Sequence, residues 1–116
     1  MTISKKIFSA LLPVMCLGAF KSGAQVVFLT EKKKEAQVKI FQTQYKLEAD
    51  VVVFKTPFID NAVENKGIWF FTKHEGECNK IITYTKEKQL ADLKVYFTSD
   101  KNEAGWINKK KKYIMN

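Results

Sequence analysis

The sequence predicts a single, compact, mostly β domain built from about seven strand-and-turn repeats of 13 residues. Six threonines recur along the chain: Thr30, Thr43, Thr56, Thr72, Thr85 and Thr98. They are separated by 13, 13, 16, 13 and 13 residues. Apolar residues alternate before each threonine, which is typical of strands. The chain of 116 residues is 46% hydrophobic and 13% aromatic, enough for one core and too short for two domains.

Residues 1–24 are predicted to be a secretory signal peptide. Lys5 and Lys6 form a basic n-region, an uncharged and largely apolar run follows from Ile7 to Phe20, and small residues precede a cleavage site near Ala24. The alternatives are an N-terminal core helix and, through Cys16, a lipid anchor. Cleavage would leave a mature domain of residues 25–116 with its net charge reduced from +8 to +5. We therefore expect export to the periplasm or the extracellular space.

Each repeat is predicted to be one strand followed by a polar turn. Val38–Thr43 and Leu93–Thr98 alternate apolar and other residues, whereas Val51–Phe54 is nearly continuously apolar, as in a strand covered on both faces. Their β-branched and aromatic residues fit a pleated sheet. The links between repeats are charged, such as Glu31–Lys34, so we expect solvated turns there.

The two faces of each strand have different predicted roles because side chains alternate with a period of two. Residues three and five positions before each threonine, such as Ile40 and Val53, are predicted to fill the centre. The aromatic column two positions before, such as Phe41, is predicted to face the other way and to stack between strands. Six positions after each threonine the residue is alanine or Cys78, which predicts a small, closely packed position.

Two units depart from the pattern. The interval from Thr56 to Thr72 is 16 residues rather than 13. Pro57 is expected to end the third strand, and residues 60–66 to form a longer polar loop that ends at Gly67. Insertions in repeats often lie on a binding face, although a simple surface elaboration is the alternative.

The last unit is predicted to cap the repeats. Lys111 occupies the threonine column there, and a terminal repeat is commonly atypical. Trp106 and Ile107 are predicted to plug one side of the core.

One cluster has the residue types of a metal or nucleophile site: His74, Glu75, Glu77 and Cys78. A zinc site requires three or four converging ligands, and a Cys-His nucleophile requires an orienting group, which this spacing does not indicate. We therefore assign no catalytic, cofactor-binding or metal-binding residue and expect no enzyme. Removal of Cys16 with the signal would leave Cys78 as a single thiol without an internal disulfide.

The basic residues favour attraction to anions without favouring nucleic acid. All twenty are lysines, and they cluster at Lys32–Lys34 and Lys109–Lys112. Arginine, the common reader of base edges, is absent from the sequence, and export removes the chain from cytoplasmic nucleic acid. Anionic envelope polymers or lipid surfaces are the partners that this charge indicates, and simple solvation is the alternative. We expect a monomer.

The segments Glu48–Phe54 and Leu90–Tyr96, closed by Glu103–Asn108, resemble the 7(1) septoil knot domain, a small bacterial family of unknown function. The resemblance covers about residues 25–116 and rests on a repeated Ala-Asp-apolar-x-apolar-aromatic phrase and an Ala-Gly-Trp ending. Cys78-Asn79 departs from the phrase. The resemblance implies a backbone wound into a seven-crossing torus knot. The repeats alone also allow a short β-solenoid or a small barrel.

Two functions are consistent with these features. The first is a non-catalytic, exported structural domain that persists in the cell envelope. The alternative is an envelope binding module that recognises a glycan, a peptide or an anionic surface through its aromatic face or the 57–66 loop. The resembled family has no assigned activity and implies no functional residue.

Overall fold

The computed structural model describes residues 24–116, so the predicted signal peptide lies almost wholly outside the described residues. Seven strands alternate there with seven 3-10 turns. The strands are β1 (Val26–Leu29), β2 (Val38–Gln42), β3 (Val51–Lys55), β4 (Ile68–Phe71), β5 (Lys80–Tyr84), β6 (Leu93–Thr98) and β7 (Gly105–Trp106). The turns are η1 (Lys33–Glu35), η2 (Lys46–Glu48), η3 (Ile59–Asn61), η4 (Glu75–Glu77), η5 (Lys88–Leu90), η6 (Lys101–Glu103) and η7 (Lys109–Met115). Across these residues, no helix has the length and apolar character to cross a membrane.

The first six strands form a closed, parallel barrel. Their order around it is β1, β5, β2, β6, β3, β4 and back to β1. Ile40 of β2 lies opposite Leu93 of β6, for example, and Val51 of β3 lies opposite Val95 of β6. The prediction of a mostly β domain of repeated strands is confirmed, and the small barrel that the repeats allowed is the observed arrangement.

The chain passes around the barrel in two interleaved circuits. The strands β1, β2 and β3 take alternate positions, and β4, β5 and β6 fill the gaps, so every barrel pairing joins one circuit to the other. Because the strands are parallel, each link returns over the outer face of an intervening strand. Lys88, in the link from β5 to β6, accordingly has its Nζ 5.7 Å from the ring centre of Phe41 on the intervening β2.

The strand β7 lies at the one place where consecutive strands pair. One edge of β3 pairs with β6 from Val51 to Phe54. The other edge pairs antiparallel with β7 at Val51 and Val52, and parallel with β4 at Phe54 and Lys55. With β7 counted as a seventh position between β3 and β4, every connection advances two positions. We call β3, β7, β4 and the 57–66 loop the seam, and β5, β2 and β6 the regular face.

The predicted central residues are confirmed as the core. All six residues three positions before the threonines are 0% exposed: Val27, Ile40, Val53, Trp69, Ile82 and Val95. Val38, Val51 and Leu93, five positions before, are also buried. Packing of these side chains inside a closed barrel removes apolar surface from water, which is the main stabilising term of the fold.

The predicted stacking of the outer aromatic column is wrong. The ring contacts join Trp69 to Phe71, Phe71 to Phe97 and Tyr84 to Phe97, with centroids 6.3, 6.3 and 6.5 Å apart. Phe71, Tyr84 and Phe97 each stand one position before a threonine, and the alternation of side chains therefore turns them inward. The outer ring of Phe41 instead has the Lys88 ammonium of a crossing link 5.7 Å from its centre.

Each threonine of the column starts a turn. Its Oγ1 accepts the backbone N–H of the residue two positions later in all six repeats, at 3.0 to 3.2 Å. The hydroxyls of Thr43 and Thr98 also donate to Glu48 and Glu103 at 3.2 and 2.8 Å. A hydroxyl bonded to nearby backbone stabilises a tight turn without regular sheet or helix. This geometry explains both the threonine column and the acids five positions later.

The polar residue before each of four strands binds a neighbouring strand at two points. The Asp50 N–H donates to the Lys94 carbonyl at 2.7 Å, and its carboxylate accepts the Lys94 N–H at 2.8 Å. The same paired bonds join Gln37 to Ile81, Asn79 to Val26 and Asp92 to Lys39. Lys66 stands at the equivalent place before β4 and has no side-chain acceptor. The regular clamp therefore cannot form before β4.

Candidate functional site

The C-terminal residues close the amino end of the barrel. Met115 is 1% exposed within the core cluster, and Ile114 packs against it. The side-chain amide of Gln25 donates to the Met115 carbonyl at 2.9 Å. The predicted plug is therefore partly wrong: Trp106 does pack on the core, but Ile107 is 50% exposed. An apolar pair after a run of four lysines was the sequence signal for this plug.

The carboxyl end of the barrel carries inward-facing aromatic rings. Phe71, Tyr84 and Phe97 are half-buried there. The Lys55 ammonium lies 4.9 Å from the Phe71 ring centre and 4.5 Å from that of Phe97, so it contacts both π faces. Burial raises the pKa of the Tyr84 phenol. We call these four residues the aromatic mouth. It is the aromatic surface that the sequence suggested, formed by a different column.

The 57–66 loop packs into the domain and joins its ends. Ala62 is 1% exposed, and its carbonyl accepts the Gln25 N–H at 2.8 Å. Asn65 is 8% exposed. Its amide nitrogen donates to the Lys112 carbonyl at 3.0 Å and to the Asn116 side chain at 2.9 Å. Its oxygen accepts the indole N–H of Trp106 at 2.8 Å. The loop is therefore more than a surface elaboration, and sequence reasoning missed the role of Asn65.

Gly67 brings three backbone segments together at the end of this loop. Its φ of 87° lies in the left-handed region that glycine tolerates best. A Cβ here would lie 2.6 Å from the Val52 carbonyl oxygen and 2.7 Å from the Gly105 nitrogen. The close approach of the loop to β3 and β7 therefore requires glycine.

Asp50, directly before β3, joins the terminal unit, which begins at Ala104, to the barrel. Its carbonyl accepts the N–H groups of Ile107 and Asn108, both at 2.9 Å. Its buried carboxylate lies 3.4 Å from the Lys111 ammonium and accepts the Asn108 side-chain amide at 3.4 Å. Lys111, the residue that replaces the seventh threonine, therefore has a structural partner.

A cleft of about 420 Å³ lies between the 57–66 loop and the terminal unit. We call it the seam cleft. Four of its lining residues are lysines: Lys66, Lys101, Lys109 and Lys112. The other lining residues are Asn65, Ile68, Asn102, Ala104, Gly105 and Trp106. None of these described lining residues is acidic, so the cleft has a positive potential and one aromatic wall.

The structure does not assemble the His74–Cys78 cluster into a metal or nucleophile site. The His74 backbone N–H donates to Thr72 Oγ1 at 3.1 Å, and His74 is exposed. Glu77 accepts the Thr72 hydroxyl at 3.5 Å. Cys78 is 0% exposed, as its small-residue column predicted. The expectation of a single thiol concerns the chain after removal of residues 1–24, and it stays a prediction. No group of three His, Cys, Asp or Glu side chains suited to a metal ion occurs among residues 24–116.

Several acids of the repeats have structural partners. Glu48 accepts both the Thr43 hydroxyl and the Lys88 ammonium, and the Lys88 hydrogen bond is the main cause that lowers the pKa of its carboxyl. Glu103 lies 3.5 Å from the Lys46 ammonium. These carboxylates link neighbouring turns on the outside of the barrel.

Comparison with known proteins agrees with this architecture. No curated protein and no solved structure matches the chain. The family model of the 7(1) septoil knot domain matches residues 24–107, which include all seven strands. The observed mostly β domain of repeated strands agrees with the compact β domain that the resemblance implies. The chain therefore belongs to the 7(1) septoil knot domain family.

Proposed function

We propose that this protein is a non-catalytic structural domain, exported to the cell envelope, whose role is to persist there in folded form. The observation that carries the proposal is the use of its polar side chains. The hydrogen bonds of the threonine, acid and amide columns hold turns and strands together. Residues committed in this way support architecture rather than chemistry.

The interleaved circuits give this proposal a physical mechanism. Every barrel strand lies between two strands of the other circuit, so the removal of any one disrupts both circuits. Local opening then carries much of the free-energy cost of global unfolding, and proteases act mainly on opened states. A knotted backbone, as the family's name implies, would also resist processive pulling from either end.

Resistance to proteolysis is the direct test of persistence. We expect the purified protein to survive hours in a non-specific protease and to unfold slowly in urea. The variant Gly67→Ala should be digested much faster, because the strained seam would open more often. Rapid digestion of the wild-type strands would overturn the proposal.

Export is part of the same proposal and is tested separately. It is supported by the basic, apolar and small-residue order of residues 1–24. N-terminal sequencing of protein recovered outside the cytoplasm should begin at or near Gln25. Recovery of the uncut chain from the cytoplasm would contradict export.

A second candidate function is an envelope binding module, and two surfaces favour it. One is the aromatic mouth, and the other is the seam cleft beside the 57–66 loop. Anionic envelope polymers are the partners that their charge would attract. A pull-down with envelope fractions at low and high salt tests this candidate. Saturable capture that survives high salt is the expected result, whereas capture lost in salt would indicate general attraction only.

A further inference from the structure

The seam cleft has a concentration of unneutralised positive charge. Among residues 24–116, Lys101, Lys109 and Lys112 take part in no ion pair, since the recorded pairs involve other lysines. The three acids nearest in sequence are already engaged, Asp100 through a carboxylate oxygen that accepts the Asn102 backbone N–H at 2.9 Å. Glu64 lies 3.4 Å from the Lys66 ammonium, and Glu103 is bound to Lys46 and to a threonine hydroxyl. The three free ammonium groups therefore have charge available for a ligand.

The floor of the cleft is built from fixed groups. Asn65 is nine-tenths buried and holds both Trp106, through its indole N–H, and the Lys112 backbone. Ile68 begins β4 and Gly105 begins β7, so both belong to strands. The lysine side chains thus extend from a rigid frame, which lowers the entropic cost of binding.

The positive charge indicates an anionic ligand. Lysine presents a compact point charge that binds phosphate, whereas the planar fork of arginine binds phosphate and carboxylate alike. The volume of about 420 Å³ lies within the range of small-molecule sites, roughly 300–1,000 Å³. The half-buried Trp106 adds an apolar surface beside the ammonium groups.

We propose that the seam cleft binds a phosphate ester of a small polyol or sugar. The lysine ammonium groups contact the phosphate oxygens, and Trp106 contacts the carbon skeleton. A phosphodiester-linked polymer and a phospholipid headgroup both carry this chemistry. The proposal deepens the binding-module candidate and rests on it. It is independent of the persistence proposal.

The indole N–H signals of the two tryptophans give a direct readout. In a ¹⁵N NMR titration of the purified protein with glycerol 1-phosphate, the Trp106 indole signal should shift saturably. The Trp69 signal should stay in place, because that ring is 0% exposed inside the barrel and serves as an internal control. Glycerol alone, the neutral control, should shift neither signal.

Matched charge variants locate the binding. The double variant Lys109→Gln/Lys112→Gln removes two lysines of the cleft. The control Lys34→Gln/Lys110→Gln removes the same charge from exposed residues that do not line it. We expect the cleft variant to weaken binding about tenfold and the control less than about twofold. Dispersed amide spectra check that both variants are folded.

The possible outcomes separate the site from the candidate function. Equal weakening in the two variants, or a Trp106 signal that no phosphate probe moves, would overturn the cleft assignment. Envelope capture that is unaffected by the cleft variant would also overturn it and leave the binding-module candidate standing. Phosphatidylglycerol vesicles and a soluble glycerol-phosphate chain, compared at equal phosphate, distinguish the lipid and polymer sources. Cleft-dependent binding to either supports the proposal.

Discussion

The regular face and the seam solve the same problem, the joining of parallel strands, by different means. On the regular face, consecutive repeats use one device: a polar residue before each strand binds both backbone groups of a neighbouring strand. At the seam, single residues do this work. Gly67 allows three backbone segments to meet, Asn65 joins loop and terminus, and Asp50 binds the final unit.

This difference shows that the non-repeated contacts of this repeat protein lie where the barrel closes. Repeated clamps tolerate variation, since aspartate, asparagine and glutamine all serve in the same column. The closure of the ring has no equivalent repeat beside it, and Asn65, Gly67 and Asp50 each make contacts there in addition to those of the repeats. We therefore expect substitutions at the seam to have larger effects than equivalent ones on the regular face, and this is also where a lysine cleft is present.

Gly67→Ala should have the largest effect. The new Cβ would clash with two backbone atoms at a φ that disfavours alanine, so we expect a loss of about 3 kcal/mol or more in the free energy of unfolding. The control is Gly76→Ala, whose Cβ meets nothing within 4 Å. It should change stability by less than about 1 kcal/mol. Equal urea midpoints for the two variants would contradict the role of the seam.

Met115→Ala should have the second-largest effect on stability. It empties a buried position at the amino end of the barrel, and a cavity of this kind costs about 2–4 kcal/mol. Tyr113→Ala, in the same segment but 70% exposed, is the matched control and should cost less than about 0.5 kcal/mol. Urea unfolding measures both. If the two variants were equally stable, the C-terminal segment would not close the core.

Substitution of two equivalent aspartates sharpens the comparison further. Asp50→Ala should cost about 2–3 kcal/mol because it leaves the Lys94 N–H and the groups of the terminal unit without an acceptor. Asp92→Ala removes only the clamp to Lys39 from an exposed residue and should cost about 1 kcal/mol. Equal losses in urea unfolding would show that Asp50 acts only as one more clamp.

The smallest effect concerns the pH dependence of the regular face. Because burial raises the pKa of Tyr84 above its ordinary value of 10.0, the folded state favours the neutral phenol. Its contribution to stability is fully present below about pH 10 and is lost as pH rises through the folded-state pKa. Tyr84→Phe should therefore reduce the alkaline loss of stability, and Tyr45→Phe, at a residue 65% exposed, should not. Identical pH profiles would contradict burial of this phenol.

The strands and turns of the repeats were predictable from the sequence, but the pairing of the strands was not. The threonine spacing gave the strands and turns, and the two-residue alternation gave the buried columns, because both depend on local geometry. Nearly identical strands carry no information about which strands pair with each other, so the strand order around the barrel could not be predicted from the sequence. The contact between the inward rings of Tyr84 and Phe97 was missed because it joins two strands whose order around the barrel was unknown.

The seam was visible only as an irregularity. The longer interval after Thr56 marked the place, but the positive φ of Gly67 and the partners of Asn65 depend on segments far apart in sequence. The candidate site shares this origin. Its lysines come from the loop, from η6 and from η7, and no spacing along the chain predicts that they meet.

The advance of two positions per link also restricts how such a protein can grow. A chain that skips every other position visits all of them in two circuits only if their number is odd, and β7 supplies the odd member beside six barrel strands. Duplication of a single 13-residue unit would make the number even, and the chain would then meet its own first strand after one circuit. Parity therefore predicts that viable relatives gain or lose repeats in pairs, never singly.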